Sequence, residues 1–413
     1  MAPPPSDSDR MAGAAMKGLQ FTAEWAPRSD YTLSEFERRT GKAVTGSSVW
    51  RNPRVRLADV KEPPLPAKDV RIRPRACGVC GSDVHFYETD EQGYIRYPGL
   101  TKFPVVIGHE FSGEIVEVGK EVRDLRPGDL VTVEEMIWCG ECVPCRNGWP
   151  NQCLNLEEIG FTIDGAMAEQ LVVGAKYCWP ITALAEVYGG AEAACEAGAL
   201  CEPTSVAYNG MFVRAGGFKP GGVVAVYGTG PIGFAAIALA RAAGASRVIA
   251  FEVSPVRQAL ARQVGADEVH DPAALTKQGG TPHEVVLRAS GGAGADMAVE
   301  AAGAPARTVP EMEQSLAIGG KVVIIGRAAE RAPMYLEHLQ TRAAQVYGAQ
   351  GHSGYGTFQN VIRLMASRRI HLRPIITSRF PLSEAVAAIE RATKRQDGKW
   401  RKPINAVAPR KTS

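Results

Sequence analysis

Long apolar runs are what this 413-residue sequence most plainly lacks. None reaches the ~20 consecutive apolar residues that a membrane-crossing helix requires, so no membrane partner is expected. The opening MAPPPSDSDRMAGAAM has no basic start followed by an apolar core, the pattern of a secretory leader. The nine cysteines are therefore expected to stay reduced in a cytoplasmic setting, where clustered thiols more often bind metal than pair. A basic block is missing too. The 47 lysines and arginines face 44 acidic residues, and the net charge of +3 is spread along the chain without aromatic-spaced arginines, which argues against nucleic acid. What remains is globular composition, 45% hydrophobic and 22% charged, at a length that exceeds one ordinary core and suits two domains. The 44 glycines imply many tight turns and at least one glycine-rich loop. Residues 1–17, poor in large apolar side chains, read as a disordered tail, as do the closing PRKTS.

Against that background WCGECVPCRNGWPNQC, residues 138–153, stands out. Its spacing, C-x2-C-x2-C-x7-C, lets Cys139, Cys142, Cys145 and Cys153 converge on one tetrahedral ion, and zinc prefers thiolate. Four protein ligands close the coordination sphere, so the expectation is a structural clasp without chemistry of its own. An iron–sulfur cluster takes the same ligands, but the ferredoxin ending C-x3-C-P and a second cluster's cysteines are absent.

From about Leu19 to Val173, runs such as VRIRPRACG, FPVVIGHEFSGEIVEVG and PGDLVTVEE have the texture of short strands broken by turns, and predict an antiparallel β-rich half. From Gly221 the pattern becomes strand, glycine turn, alanine-rich helix, strand, and it repeats through VRQALARQVGAD (helix), DMAVEAAG (strand), RTVPEMEQSLAIG (helix apart from its proline) and GGKVVIIG (strand). Such alternation predicts a doubly wound parallel sheet. TFQNVIRLMASRRI and LSEAVAAIERATKR read as helices around the apolar PIITSRF.

GTGPIG, Gly228 to Gly233, sits where a strand meets a helix, and Glu252 ends the next strand nineteen residues later. In this setting G-x-G-x-x-G marks a dinucleotide site: Gly228 for the turn, Gly230 for approach of the pyrophosphate, Pro231 and Ile232 opening the helix, Gly233 for close packing. A carboxylate at Glu252 accepts ribose hydroxyls and repels a 2′-phosphate, which favours NAD over NADP. Arg257 reads equally well as a cofactor contact and as a helix-surface arginine.

A second set of ligand types lies in ACGVCGSDVHF and VVIGHEF. Cys80, His109 and Glu110 offer thiolate, imidazole and carboxylate, and three protein ligands with an open position is the pattern of catalytic zinc. Cys77 and Cys80 also spell a C-x-x-C, although Cys77 reads more simply as a buried strand residue.

With CGVCGSDVH, GHEFSGEIVEVG, the four-cysteine lobe, CEPTSVAYN and GTGPIG on the page, the chain resembles the zinc-dependent medium-chain dehydrogenases/reductases from about Val55 to Ala406. The resemblance implies an α/β architecture with a GroES-like β-rich catalytic domain over residues 18–205, carrying the structural zinc lobe at 138–153. It further implies an NAD-binding Rossmann domain over 206–350, and a segment 351–413 that returns to complete the catalytic domain. It implies two Zn2+ per chain, one catalytic and one structural, and a homodimer or homotetramer. A glutamate at position 202, where alcohol dehydrogenases usually have cysteine, resembles the sorbitol-dehydrogenase-like branch and makes Glu202 a further zinc ligand, direct or through water, with Glu110 either a ligand or an exchangeable group behind it. Ser82 matches the hydroxyl that takes the substrate proton, His85 the histidine that passes it to solvent, and Asp83 the carboxylate that orients the zinc histidine. TDEQGYIRYPGLTKFPVVIGHE, VEEMIWCGECVPC, LEEIGFTIDGAMAE and GAQGHSGYGTF resemble the inositol-ketone branch. The implied substrate is a cyclic polyol or keto-inositol, scyllo-inosose first, with Tyr94, Tyr97, Glu134, Glu135 and His352 beside Ser353 as its contacts. An acyclic sugar alcohol or an amino-cyclitol is the nearest alternative. A non-catalytic nucleotide sensor would be expected to show a broken catalytic string, and this one is intact.

Overall fold

The computed structural model describes residues 15–328, 330–393 and 405–408. The expected tail lies outside the described residues up to position 14, and Ala15 to Lys17 belong instead to the strand Ala15–Trp25. The strand starts this early because Met16 packs with Val60, Val106 and Ala168 on the face opposite Leu19 and Phe21, while Lys17 pairs with Asp59 of the neighbouring strand Trp50–Lys61 at 2.6 Å. The closing PRKTS also falls outside the described residues.

Two sheets build the first half. Trp50–Lys61, Ala15–Trp25 and Val105–Val106 form a three-stranded antiparallel sheet. Five more strands lie antiparallel in the order Cys178–Pro180, Leu130–Val133, Phe111–Val118, Asp69–Cys77, Leu171–Gly174. Asp69–Cys77 tolerates Pro74 because its register slips between Pro74 and Ala76, a bulge where the missing N–H costs little. Val70, Ile72, Phe111, Ile115, Val131 and Val133 point into one core, where Phe86 meets Phe21, Tyr97, Phe103 and Phe161 at ring distances of 5.1–6.0 Å. Each such buried ring contributes roughly 1.5–3 kcal/mol, so the helix carrying Phe86 is firmly anchored.

The second half is a six-stranded parallel sheet. Numbered in chain order as Val223–Tyr227, Arg247–Phe251, Glu268–His270, Ala295–Glu300, Leu316–Ile324 and Gln345–Gly348, the strands lie in the order 3-2-1-4-5-6. This is the doubly wound order, which opens a ligand crevice beyond the carboxyl ends of strands 1 and 4. The inner strands are buried along nearly their whole length, as expected for parallel strands covered on both faces. One boundary differs from the sequence reading: RTVPEMEQSLAIG is helical only through Gln314, and Leu316 already starts the fifth strand, whose Leu316 and Ala317 face inward.

After Gly351 the chain divides its packing. Helix Thr357–Ala366 puts Phe358, Val361, Ile362 and Met365 into the core that also holds strands 1 and 2 and the helices around Cys201, whereas Leu382, Ala385, Ile389 and Ala392 join the core of the antiparallel half. Among the described residues no helix is long and apolar enough to cross a membrane.

Candidate active site

Cys80 caps the short helix Gly81–Tyr87. Its backbone N–H donates to Asp83 Oδ2 at 2.7 Å, and burial of Val84 and Phe86 turns Ser82 and His85 toward an open cleft. His109 and Glu110 arrive on the turn before Phe111–Val118. The His109 ring lies 4.6 Å from Phe161, and its Nδ1 is 3.8 Å from Asp83 Oδ1. Glu110 is nearly fully buried, and its carboxylate occupies the space a Cβ at Gly78 would fill, which explains the first glycine of CGVCG. The ligand atoms of Cys80, His109 and Glu110 all lie within 4.8 Å of one another. Glu110 Oε2 and Ser82 Oγ are buried without a hydrogen-bond partner. Sulfur, imidazole and an unsatisfied buried carboxylate oxygen at this spacing fit a zinc ion and leave it an open side toward the cleft.

Glu202, in the first turn of Cys201–Tyr208, lies beside this triad in a second buried group with Glu135 and His352, again within 4.8 Å. His352 Nε2 is 3.0 Å from Glu135 Oε2 and 3.3 Å from Glu202 Oε1. Burial, with Glu110 adding and His352 opposing, pushes Glu202 up to about 8. Burial, helped by Glu135, does the same to Glu158. Carboxylates crowded this closely cannot all ionise without cations beside them.

At the other end of the cleft the nucleotide turn is laid out as its motif requires. Gly228 adopts φ 87°, and a Cβ at Gly233 would collide with the Gly228 carbonyl, so strand and helix Pro231–Ala242 meet at a distance only glycine permits. Gly230 has open space where its side chain would be, as backbone approach of a pyrophosphate needs. Glu252 is held by N–H groups of Thr229 and Ser254, both at 2.9 Å, and by Thr229 Oγ at 3.0 Å, with Arg257 3.7 Å away. One cleft of about 970 Å³ runs from Cys80, His109 and Glu110 past Tyr97, Glu135 and Glu202 to Gly228, Gly230, Pro231, Ile232, Glu252 and Arg257. The Cys80, His109 and Glu110 cluster and the nucleotide turn thus share a single chamber.

Residues 66–183 match the alcohol dehydrogenase GroES-like domain family, and residues 231–367 the zinc-binding dehydrogenase family. The chain is 45% identical to scyllo-inosose 3-dehydrogenase of Thermotoga maritima over 387 residues, 91% of this chain and 96% of that protein. It belongs to the zinc-binding alcohol dehydrogenase family. It is also 32% identical to L-threonine 3-dehydrogenase of Bacillus licheniformis, over 82% of this chain and 92% of that one. The solved structure of a candidate alcohol dehydrogenase from Thermotoga maritima superposes with a TM-score of 0.88 at 42% identity, covering 95% of this chain and all of that one. This dehydrogenase is an oxidoreductase that works on a small molecule with zinc and a nicotinamide cofactor.

The dehydrogenase's cysteine lobe forms without disulfides, all nine cysteines being free. The Sγ atoms of Cys139, Cys142, Cys145 and Cys153 lie within 4.8 Å of one another. Cys153 to Cys139 is 3.5 Å and Cys142 to Cys153 is 3.8 Å, close to the ~3.8 Å expected between sulfurs on tetrahedral zinc. Backbone N–H groups of Glu141, Cys142, Leu154 and Asn155 point at these sulfurs, and the first two push Cys139 down to about 6. Backbone N–H groups thus favour thiolate at Cys139 and Cys142, whereas burial raises Cys145 and Cys153, a mixed set that suits four sulfurs gathered around one cation. Cys77, by contrast, is fully buried at the end of its strand, where burial raises its thiol, and the redox reading of C-x-x-C finds no support.

Of the sequence-derived substrate contacts, Tyr97 and Glu135 line the cleft. The other three are placed elsewhere. Tyr94 lies beneath the Arg28 guanidinium, 3.9 Å from its ring, and packs the insertion loop. Glu134 accepts from the indoles of Trp138 and Trp179 at 3.2 and 2.9 Å and ties the lobe to the sheet. His352 is fully buried behind Glu135 and Glu202, with Ser353 bonded to the Met136 carbonyl, so it reaches a substrate only through those carboxylates. Among the cleft residues that the sequence reading did not single out are two charged ones at the substrate end, Glu158 and Arg327. Arg327 carried a usable signal, because residues after the carboxyl end of a parallel strand line the ligand crevice. Glu158 carried one as well, since it lies in LEEIGFTIDGAMAE, a stretch whose resemblance pointed to the substrate although no residue of it was singled out.

Proposed function

We propose that this dehydrogenase oxidises a secondary hydroxyl of a cyclic polyol or keto-inositol, scyllo-inosose first, with NAD as acceptor. The observation that carries this reading is the substrate end of the cleft, where Glu110, Glu135, Glu158 and Glu202 gather with Arg327 and Tyr97. Carboxyl groups hydrogen-bond to hydroxyls in either protonation state, whereas a substrate bearing phosphate or carboxylate would add negative charge to a cluster that already cannot all ionise. The similarity to scyllo-inosose 3-dehydrogenase points the same way.

Cys80, His109 and Glu110 are the residues that would hold the catalytic zinc, with Glu202 beside them. When bound, zinc supplies Lewis-acid polarisation of the substrate oxygen, and the nicotinamide supplies the hydride acceptor. The chain does the rest. Ser82 Oγ, buried and unbonded, takes the hydroxyl proton as it passes its own onward, and His85, on the cleft side of the same helix, carries it to water. Asp83 holds the Cys80 turn and faces the His109 ring, fixing both ligands from behind. Glu252, braced by Thr229 and Ser254, receives the adenosine ribose and disfavours a 2′-phosphate.

The outer edge of Gln345–Gly348 has no strand beside it among the described residues, and Ile318, Tyr335, Leu336 and Val346 are exposed on or next to the last two strands. These features support self-association as a dimer or tetramer.

Turnover across ring alcohols of increasing hydroxyl number tests the reading. Going from cyclohexanol to inositols and inososes, kcat/KM is expected to rise by at least about a hundredfold, since a polar site rejects analogues that leave its groups unpaired. A flat or falling series would sink it.

A further inference from the structure

Two groups face the substrate end of the cleft from opposite halves of the chain. Arg327, just past the fifth parallel strand, comes from the nucleotide half. Its guanidinium donates to Tyr97 Oη at 2.8 Å and lies 5.5 Å from that ring's centre. This bond uses one of the five N–H donors an arginine has. Glu158 comes from the antiparallel half, on the short strand Glu157–Glu158. It is 3% exposed, and its Oε2 has no hydrogen-bond partner. The two charges are close enough to influence one another, yet among the described residues they do not close into an ion pair.

A guanidinium with donors to spare and a buried carboxylate with an idle acceptor, held apart in one chamber, define what fits between them. The ligand must accept on one side and donate on the other. A hydroxyl does both, and neighbouring ring hydroxyls can bridge the pair. A carboxylate or phosphate would suit Arg327 but add negative charge to a chamber whose carboxyl groups already cannot all ionise. An apolar chain would leave both groups buried and unpaired.

We propose that Arg327 and Glu158, with Tyr97 steadying the guanidinium, form a specificity site that grips neighbouring hydroxyls of the substrate other than the one being oxidised. This deepens the cyclic-polyol reading and rests on it.

The test uses the zinc-loaded full chain and compares kcat/KM for scyllo-inosose, other ring and open-chain polyols, and cyclohexanol. Arg327→Met and Glu158→Gln are expected to lower kcat/KM for the best polyol by about 10- to 100-fold, chiefly through KM, the size of a lost hydrogen bond to a charged group. The ratio of polyol to cyclohexanol should fall by nearly as much. Tyr97→Phe keeps the ring in its aromatic cluster and removes one hydroxyl, so it should shift the ratio the same way by a smaller factor even if the bolder variants fold poorly. Equal losses on polyol and cyclohexanol in these variants would overturn the specificity site while the polyol reading stood. A wild-type enzyme preferring cyclohexanol to every polyol would overturn both.

Discussion

Cys80→Ala is expected to lower turnover at least about a thousandfold and to remove about one zinc ion per chain, because Lewis-acid stabilisation is worth several kcal/mol. The thiolate is the one soft ligand in its group, and no other cysteine belongs to that group. The fold should survive the change. The helix start loses the sulfur's half of its capping box but keeps the Cys80 N–H bond to the Asp83 carboxylate, and the helix is held by the buried Val84 and Phe86. NADH binding should persist too, since Gly228, Gly230 and Glu252 lie at the other end of the cleft. Metal analysis, NADH titration and steady-state rates on one preparation decide the matter. Retained turnover would remove the catalytic site from this account.

Cys142→Ser should produce the opposite pattern: about one zinc ion lost per chain and a stability loss on the order of 4 kcal/mol or more, with the chemistry of the cleft retained in the protein that stays folded. Within the lobe, Val143 and Leu154 are largely exposed, the helix Val143–Arg146 is four residues long, and the sulfurs gather backbone N–H groups that serine would bind more weakly. Attachment to the body runs through Trp138, which donates to Glu134 and whose carbonyl receives Tyr177 Oη and Lys176 Nζ, and through Asn151, which donates to the Gln350 carbonyl at 2.6 Å, the Gly148 carbonyl, which receives Tyr355 Oη, and Trp149, which lies under Arg214. Thermal unfolding with and without a chelator reads the effect. Wild-type stability together with wild-type zinc content in this variant would contradict the clasp.

The two variants separate what was legible in the sequence from what was not. Ligand clusters and the nucleotide turn were readable because their chemistry is local: thiolates at short spacing, and glycines where a strand meets a helix. The parallel sheet was readable from its alternation, down to the acid at Glu252. Side-chain direction in loops was not. Glu134 and Glu135 are adjacent in sequence, yet one turns to two indoles and the other to the cleft, as successive side chains in extended backbone do. His352 read as a substrate contact because it lies in GAQGHSGYGTF, one of the stretches that resemble the inositol-ketone branch, whereas burial against Phe358 puts it behind the carboxylates it serves. Arg327 meets Tyr97 across 230 positions of sequence, a pairing no local pattern announces.

The central claim is hydride transfer from a cyclic polyol to NAD at the Cys80, His109 and Glu110 site. Its most direct test is the initial rate of reduced-nicotinamide formation at about 340 nm, with zinc-loaded protein and NAD or NADP, on scyllo-inosose, myo-inositol, an amino-cyclitol, sorbitol and L-threonine. The account predicts the highest kcat/KM for scyllo-inosose or another inositol, and NAD ahead of NADP by about thirtyfold or more, the size of a like-charge contact at Glu252. Preference for L-threonine, or for NADP, would contradict it.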